Sequence, residues 1–443
     1  MASIDCTRSS TQSGFTLVEL MIAMLIGLIA SVSIVSLFSA THRSHRLQEG
    51  LARLQETGRY AAARIEDDLR RAGGQFLNNS SGNRLAGAIA PVWQDRAPWI
   101  FAANLNLPDS GNMQSVNPAN GALRLAPADT PYPLSTRFLL QGHFCTNGPI
   151  CFPALPATTP FPTASLNPNS RVPNTDILTL RYLRGTGWPI SPASTTCGTG
   201  ATLTLAPQPG DDPLNITPDS LVLISDGQSP YVIPITAVAG NSMTVGPVLG
   251  GGTPACHPQV NRDVRVFNFS RDLVTISYYL VFRLNDLPDA VANAGNLSLV
   301  PTLVRRENGV EQDIVRGVDA LRVSYGVRDN NGNMRILNAN QVETRLGGVI
   351  TCPPKPDGVA PSPANSLISE PGCLWRSVRR IEANLLINSG DAVAELDDIG
   401  RSYRFMGASF NPAAVSPLQS GLLAGSLPRR EFIAHATHRN RTP

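Results

Sequence analysis

The chain has 443 residues, of which 42% are hydrophobic and 16% charged, with a formal net charge of +3. This composition excludes a multi-span membrane protein and predicts that most of the chain folds in water. The net charge is too small to indicate a nucleic-acid partner by itself.

Lysine is nearly absent, since Lys355 is the one lysine among the 36 basic residues. It lies in a proline-rich stretch, so the Gly-Lys-Ser/Thr element of a phosphate-binding loop is missing. The sequence also lacks a Gly-x-Ser-x-Gly elbow and a His-Glu-x-x-His pair. We therefore expect no catalytic residues, no resident metal and no cofactor.

The first predicted element is an apolar helix over residues 15–40, whose one formal charge is Glu19. About 20 apolar residues cross a bilayer core as a helix, which favours a transmembrane segment. A cleaved secretory signal is the alternative. It fits less well because its apolar region is shorter, and because Phe38 occupies a position before Ala40 where a small side chain is needed.

A carboxylate deep in this run is costly, by about 2.5–3.5 kcal/mol on insertion scales, and needs a partner. Cleavage between Gly14 and Phe15 would create an α-amino group one helical turn from Glu19. In a bundle of such helices, that amine could neutralise the glutamate of a neighbouring subunit.

The stretch Gly14-Phe15-Thr16-Leu-Val-Glu19 resembles the class III signal of type IV prepilins and type II secretion pseudopilins. The resemblance implies cleavage after Gly14 by prepilin peptidase, N-methylation of Phe15, and assembly roles for Glu19 and Thr16. Residues 1–14 are then the leader. The leader's Asp5 and Arg8 cancel, whereas Arg43, Arg46 and Arg53 follow the span, so the positive-inside rule does not favour a periplasmic head.

The helix is predicted to continue through residues 41–73 and to stop at Gly73-Gly74. A helix over 15–71 would be about 85 Å long. Its second half carries an apolar stripe that should pack on the head, formed by Leu47, Leu51, Leu54, Gly58, Ala61, Ile65 and Leu69.

Residues 74–443 read as a β-rich head, which makes the chain an α+β protein with a pilin-like arrangement of a long helix on an antiparallel sheet. The segments 104–174 and 353–371 are predicted to be surface insertions. Strands are predicted at 176–184, 202–206, 220–225, 231–238, 264–269, 273–284, 299–305, 318–328, 377–388 and 430–437.

Several segments in order resemble PilW-like minor pilins: Asp68-Leu-Arg-Arg-Ala-Gly73, Ile276-Ser-Tyr-Tyr-Leu280, Gly317-Val-Asp-Ala-Leu321 and the terminal Arg430-x-Phe432. The related J-type pseudopilins share the helix, with a shorter head expected. The resemblance implies assembly with other minor pilins, the major pilin, the inner-membrane platform and a tip adhesin. It also implies a single-pass inner-membrane protein with a periplasmic head, later part of a surface pilus.

Seven cysteines are present, and Cys6 falls in the leader. In an exported head the other six predict disulfides, with 15 connectivities open. We expect sequential pairing as Cys145–Cys151, Cys197–Cys256 and Cys352–Cys373. A zinc site involving His143 and His257 is the alternative, disfavoured because no Cys-x₂₋₄-Cys spacing exists.

Other polar groups have simpler interpretations. The stretch from Asp329 to Asn333 resembles a calcium loop but contains Asn-Gly after a strand, which favours a hairpin turn. His42 and His45 are expected to be solvated, and His435 and His438 should point to opposite faces of a strand. The acidic group Asp391, Glu395, Asp397 and Asp398 is expected in a solvated loop, with calcium as the alternative.

A DNA-binding or surface-binding head is the second functional hypothesis. It rests on the basic residues near the end of the chain, Arg429, Arg430, Arg439 and Arg441.

Overall fold

The fold comes from a computed structural model of the chain. The residues that the structure describes are 16–73, 98–103, 105, 115–116, 123–124, 131–133, 137–146, 149–155, 160–191, 194, 196–211, 215–225, 230–249, 264–284, 299–351, 372–389, 403–410 and 428–437.

The N-terminal helix spans Leu17–Arg71 without a break, as the absence of proline from this stretch predicts. At 1.5 Å per residue it is about 80 Å long. It ends where the Ala72 N–H bonds back to the Asp68 carbonyl and Gly73 adopts a φ of 68°, a left-handed conformation that favours glycine.

The second half of the helix packs against two antiparallel sheets of the head, closest to Arg429–Thr437 and Val378–Asn388 of a four-stranded sheet and also against a six-stranded sheet. Strands distant in sequence lie next to each other in it, because the long connections leave the sheet and return. In spatial order the strands are Val310–Arg316, Leu299–Glu307, Leu273–Leu284, Ile177–Leu183, Leu140–Cys145 and Cys151–Phe152.

A four-stranded antiparallel sheet completes the wall around the helix. One buried core joins the inner faces of both sheets to helix residues Leu54, Ala61, Ile65 and Leu69. The strands of this sheet, in order, are Met334–Leu337, Val318–Arg328, Val378–Asn388 and Arg429–Thr437.

A third sheet of eight strands has apolar clusters of its own. Most of it is inserted between Ile177–Leu183 and Leu273–Leu284, two neighbours in the six-stranded sheet. We call it the inserted module. Its main path is Tyr132–Pro133, Trp99–Ile100, Tyr231–Ala239, Leu221–Ser225, Arg265–Asn268 and Trp188–Pro189, while Ser242–Val245 joins Tyr231–Ala239 to Thr202–Thr204.

Small elements complete the described structure. Two strand pairs stand apart from the sheets, Ser115–Val116 with Leu123–Arg124 and Tyr403–Phe405 with Ala408–Phe410. The short helices are Phe269–Asp272, Ala339–Glu343 and the 3-10 turn Cys373–Ser377.

All ten predicted strands are found, two of them with the predicted bounds, Leu273–Leu284 and Val318–Arg328. The expectation that 104–174 forms a surface insertion is wrong for Leu140–Cys145, which is buried inside the six-stranded sheet. This strand was missed because the polar residues Gln141 and His143 interrupt its apolar pattern. Both side chains are buried on the second face of the strand. The segment 353–371 lies outside the described residues.

Candidate functional site at the N-terminal helix

The helix begins with a capping box formed by Thr16 and Glu19. The Glu19 carboxylate accepts hydrogen bonds from the Thr16 backbone N–H and the Thr16 hydroxyl, each at 3.1 Å. The Thr16 hydroxyl oxygen in turn accepts the Glu19 N–H at 3.3 Å. The acid is therefore partnered within its own chain, an arrangement that the Thr-x-x-Glu spacing could have predicted. Gly14 and Phe15 lie outside the described residues, so their processing stays a prediction.

Beyond this cap, the helix presents apolar side chains on every face. All large apolar residues from Leu17 to Phe38 are at least half exposed, between 52% and 74%. Among the described residues this is the one helix long and apolar enough to cross a membrane, by length and composition. The span Leu17 to Ala40 is about 36 Å long, against a hydrocarbon core of about 30 Å.

Four hydroxyl groups in or just after this apolar span have acceptors inside the helix. Ser31, Ser33 and Thr41 each donate to the carbonyl four residues earlier, at 2.8 to 2.9 Å, and Ser36 donates to the Ser33 carbonyl at 2.8 Å. A polar group in lipid needs such an internal partner, so these residues are compatible with a bilayer.

The head begins at Gly50, the first buried position of the helix. From there Leu54, Gly58 and the later stripe residues are buried, as predicted. Leu51 is an exception, because it is 38% exposed and Gly50 takes the inward position, facing Ser389. The helix thus has a free half, Leu17 to Arg46, and a half that is fixed to the head.

A buried ion pair anchors the end of the helix to the six-stranded sheet. Arg305 donates to both Asp68 oxygens, from Nε at 2.7 Å and from Nη2 at 3.3 Å, and the Tyr278 hydroxyl donates to Asp68 at 2.5 Å. Burial, and then the Asp68 charge, raise the pKa of Tyr278 above its ordinary value. Two of the segments that resemble minor pilins therefore meet here, through Asp68 and Tyr278.

A second buried carboxylate joins the two sheets beside the first disulfide. Asp176 accepts hydrogen bonds from Arg322 Nη1 at 2.8 Å, the Val323 N–H at 2.9 Å and the Cys145 N–H at 3.3 Å. Burial raises the pKa of Asp176, although the Arg322 charge opposes this shift. This bridge was not identified from sequence, because its partners are far apart along the chain.

The predicted disulfide Cys145–Cys151 is present, with a sulfur–sulfur distance of 2.02 Å. Cys197 and Cys373 are also disulfide-bonded. Their predicted partners Cys256 and Cys352 lie outside the described residues, so these two pairings stay predictions.

Over the part of the chain that the structure describes, no group of three metal-ligating side chains occurs. Cys145 is not available as a zinc ligand, because it forms a disulfide with Cys151. The buried His143 has its Nδ1 atom 2.8 Å from the Pro153 carbonyl oxygen. His257 lies outside the described residues.

The Asp329 loop is the predicted hairpin turn, between paired strands that include Arg328 and Met334. Its Asp329 carboxylate is occupied by the N–H groups of Asn331 and Asn333 and by Arg335 Nε, at 2.9 to 3.0 Å. The other calcium candidate, the acidic group within 391–398, lies outside the described residues.

Of the four basic residues proposed to grip DNA, the structure describes Arg429 and Arg430. Arg429 is buried with Asp319, to which its Nε donates at 2.5 Å, and Arg430 lies over the Phe432 ring at 5.9 Å. Arg439, Arg441 and His438 lie outside the described residues. His42 and His45 are exposed, as expected, and His435 lies 3.7 Å from Glu66 at the surface.

Comparison with known families gives one match, to the prokaryotic N-terminal methylation motif, over residues 9–35. This stretch contains the predicted cleavage site, the capping box and the first part of the apolar span. The match supports a type IV prepilin-like precursor, processed by prepilin peptidase, with pilus or secretion-machinery partners. It marks a structural pilin-like protein and no known enzyme family. Comparisons with characterised proteins and with solved structures give no match.

Proposed function

We propose that this protein is a minor pilin of the PilW-like type, which promotes assembly of a type IV pilus. The observation that carries the proposal is a single helix with two different halves. Its methylation-motif half is apolar and unburied from Leu17 to Phe38, and its second half is packed into a large folded head from Gly50 onward. Such a helix fits first a bilayer and then a bundle of similar helices.

The proposed mechanism starts with cleavage between Gly14 and Phe15 by prepilin peptidase and N-methylation of Phe15. The protein then waits in the inner membrane with its head in the periplasm. In this state the Glu19 carboxylate keeps the two hydrogen bonds that it accepts from Thr16 in the capping box. On assembly, Glu19 pairs with the Phe15 amine of a neighbouring subunit, which sets the axial register of the bundle.

A position at the pilus tip is supported by the size of the head. The inserted module adds eight strands to the two sheets that hold the helix. A head of this bulk would crowd the closely spaced subunits of a shaft, whereas the tip leaves room on one side. The expected partners are other minor pilins, the major pilin, the assembly platform and a tip adhesin.

The methylation motif is equally compatible with a pseudopilin of a type II secretion system, which is the alternative function. A DNA-binding head has less support, since Arg429 is buried. In addition, the chain between Arg184 and Asp272, which holds most of the inserted module, contains three arginines, five aspartates and no lysine.

The test is a Glu19→Ala variant expressed in cells lacking the native gene, with Glu49→Ala as control. Glu49 is an exposed acid on the same helix, engaged by Arg53. We expect both variants to reach the membrane in normal amounts, and only Glu19→Ala to abolish surface pili. Normal piliation with Glu19→Ala, in cells that lose pili when the gene is deleted, would contradict the proposal. Loss of protein secretion with normal pili would favour the pseudopilin alternative.

A further inference from the structure

A short polar segment separates the apolar span from the head. It contains His42, Arg43, His45 and Arg46, and we call these four residues the juxtamembrane collar. The apolar span ends at Ala40, and the first buried helix position is Gly50. The two positions are ten residues apart, which corresponds to about 15 Å of helix. The collar therefore lies on a stretch of helix that the described part of the head leaves uncovered.

The charged residues of the collar are all basic. No acidic residue occurs between Glu19 and Glu49. Glu49 itself turns away from the collar, because its carboxylate lies 2.6 Å from the guanidinium of Arg53, one turn further on. Arg46, His42 and His45 are exposed. The collar therefore presents positive charge without a carboxylate of its own helix to balance it.

The geometry places this charge at the edge of the apolar surface. His42 stacks edge-on against Phe38, the last large apolar residue, with ring centroids 4.7 Å apart. His42 and Arg46, four residues apart and both exposed, are neighbours on the helix surface. Because the apolar span of about 36 Å fills the hydrocarbon core, the collar begins at headgroup depth. Guanidinium groups match phosphate oxygens in both charge and hydrogen-bonding geometry.

We infer that the collar binds the phosphate groups of anionic phospholipids in the leaflet that faces the head. This rests on the proposed membrane-inserted state. The contact fixes the depth of the monomer before assembly, and it is broken when the helix leaves the bilayer. It also places arginine on the side of the membrane that the positive-inside rule disfavours, for a purpose separate from topology. From the usual contribution of a basic residue near an anionic surface, each arginine should increase local association up to about fivefold.

The test uses the full-length processed protein in phosphatidylcholine vesicles that contain a trace of spin-labelled lipid. The spin-labelled lipid is phosphatidylglycerol in one set of vesicles and phosphatidylcholine in the other. Electron paramagnetic resonance gives the fraction of each labelled lipid that is immobilised at the protein surface. The variant is Arg43→Gln with Arg46→Gln. The control is Arg59→Gln with Arg70→Gln, which removes the same charge from exposed helix positions at least about 20 Å beyond the collar.

We expect the wild-type protein and the control to prefer phosphatidylglycerol severalfold, and the collar variant to show a ratio near one. The wild-type preference should also fall toward one at about 1 M salt, where charges are screened within about 3 Å. The salt measurement uses the wild-type protein, so it tests the inference even if the collar variant folds poorly. A wild-type ratio of one, a preference kept by the collar variant, or an equal loss in the control would each overturn the inference. An unmethylated or uncleaved N-terminus would count against the proposed function instead, and leave the lipid measurement intact.

Discussion

The aromatic ring of Phe432 lies directly over Gly58, so that a Cβ added to this glycine would fall 2.2 Å from ring atom Cε2. Gly58 is in the second half of the N-terminal helix, and Phe432 is in Arg429–Thr437, the last described strand. The N-terminal helix and the last described strand are thus in close contact at this point. The contact requires a residue without a side chain at position 58.

Gly58→Ala should therefore destabilise the head, by about 1–3 kcal/mol for an overpacked site. Gly50→Ala is the matched control, because its added Cβ would meet only Ser389 at an ordinary 3.6 Å, and alanine favours helix. Urea unfolding of the two variants, followed by circular dichroism, measures the difference. Equal stabilities would show that the ring of Phe432 moves aside freely. Phe432→Leu should restore part of the loss in Gly58→Ala.

Asp68→Ala should cost about 2–3 kcal/mol of unfolding free energy, because Nε and Nη2 of the buried Arg305 lose their acceptors, while Nη1 keeps its pair with Glu307 at 2.6 Å. Asp67→Ala removes the neighbouring acid, whose pair with Arg71 is exposed, and should cost under about 1 kcal/mol. Thermal unfolding of both variants tests this contrast. A small effect at both positions would mean that water reaches Arg305 once Asp68 is removed.

His143 should make the head sensitive to acid. Burial lowers the pKa of His143 from 6.5 to about 4, assisted by the Arg171 and Arg137 charges and opposed by the bond to the Pro153 carbonyl. A depressed histidine pKa adds stability that is complete above the unfolded value of 6.5 and is lost as pH falls toward 4. From pH 7 to pH 5 the loss from this residue is about 2 kcal/mol.

His143→Asn keeps a hydrogen-bond donor but cannot titrate, so its stability should change less between pH 7 and pH 5. Comparing the two proteins is necessary, since burial raises the pKa of Asp176 and of Asp319, which shifts stability in the opposite direction. The measurement is urea unfolding at both pH values. The same pH response in wild type and variant would show that His143 is protonated or solvent-accessible in the folded head.

The remaining disulfides can be assigned by peptide mapping under non-reducing conditions. We expect peptides that link Cys197 to Cys256 and Cys352 to Cys373, alongside the Cys145–Cys151 link seen in the structure. Any other pairing would overturn the sequential assignment, although Cys197 and Cys373 would still be oxidised.

Periodicity predicted the N-terminal helix and ten of the strands. The unbroken helix follows from its missing prolines, and Leu273–Leu284 from a long β-branched and aromatic run. Val310–Arg316 was missed because it is an edge strand with mostly polar, exposed residues. The inserted module was also missed as a unit, since its strands have the same composition as the rest of the head.

In the candidate site too, residues in a local motif could be predicted and pairs that are distant in sequence could not. Gly14, Phe15 and Glu19 could be predicted as processing and assembly residues because a local motif carries them, and their roles stay predictions. The Asp68–Arg305 pair could not be identified, because 237 residues separate its members and no local pattern links them. The capping bonds from Thr16 to Glu19 were available from sequence, yet they change the account: the acid has a partner before any neighbour arrives.

Whether the chain is processed as a prepilin can be decided from the intact mass of the protein extracted from membranes of cells that contain a working prepilin peptidase. We expect a chain of residues 15–443, with its disulfides formed and one methyl group on Phe15. A chain that still begins at Met1, or one that begins after Ala40, would contradict this expectation.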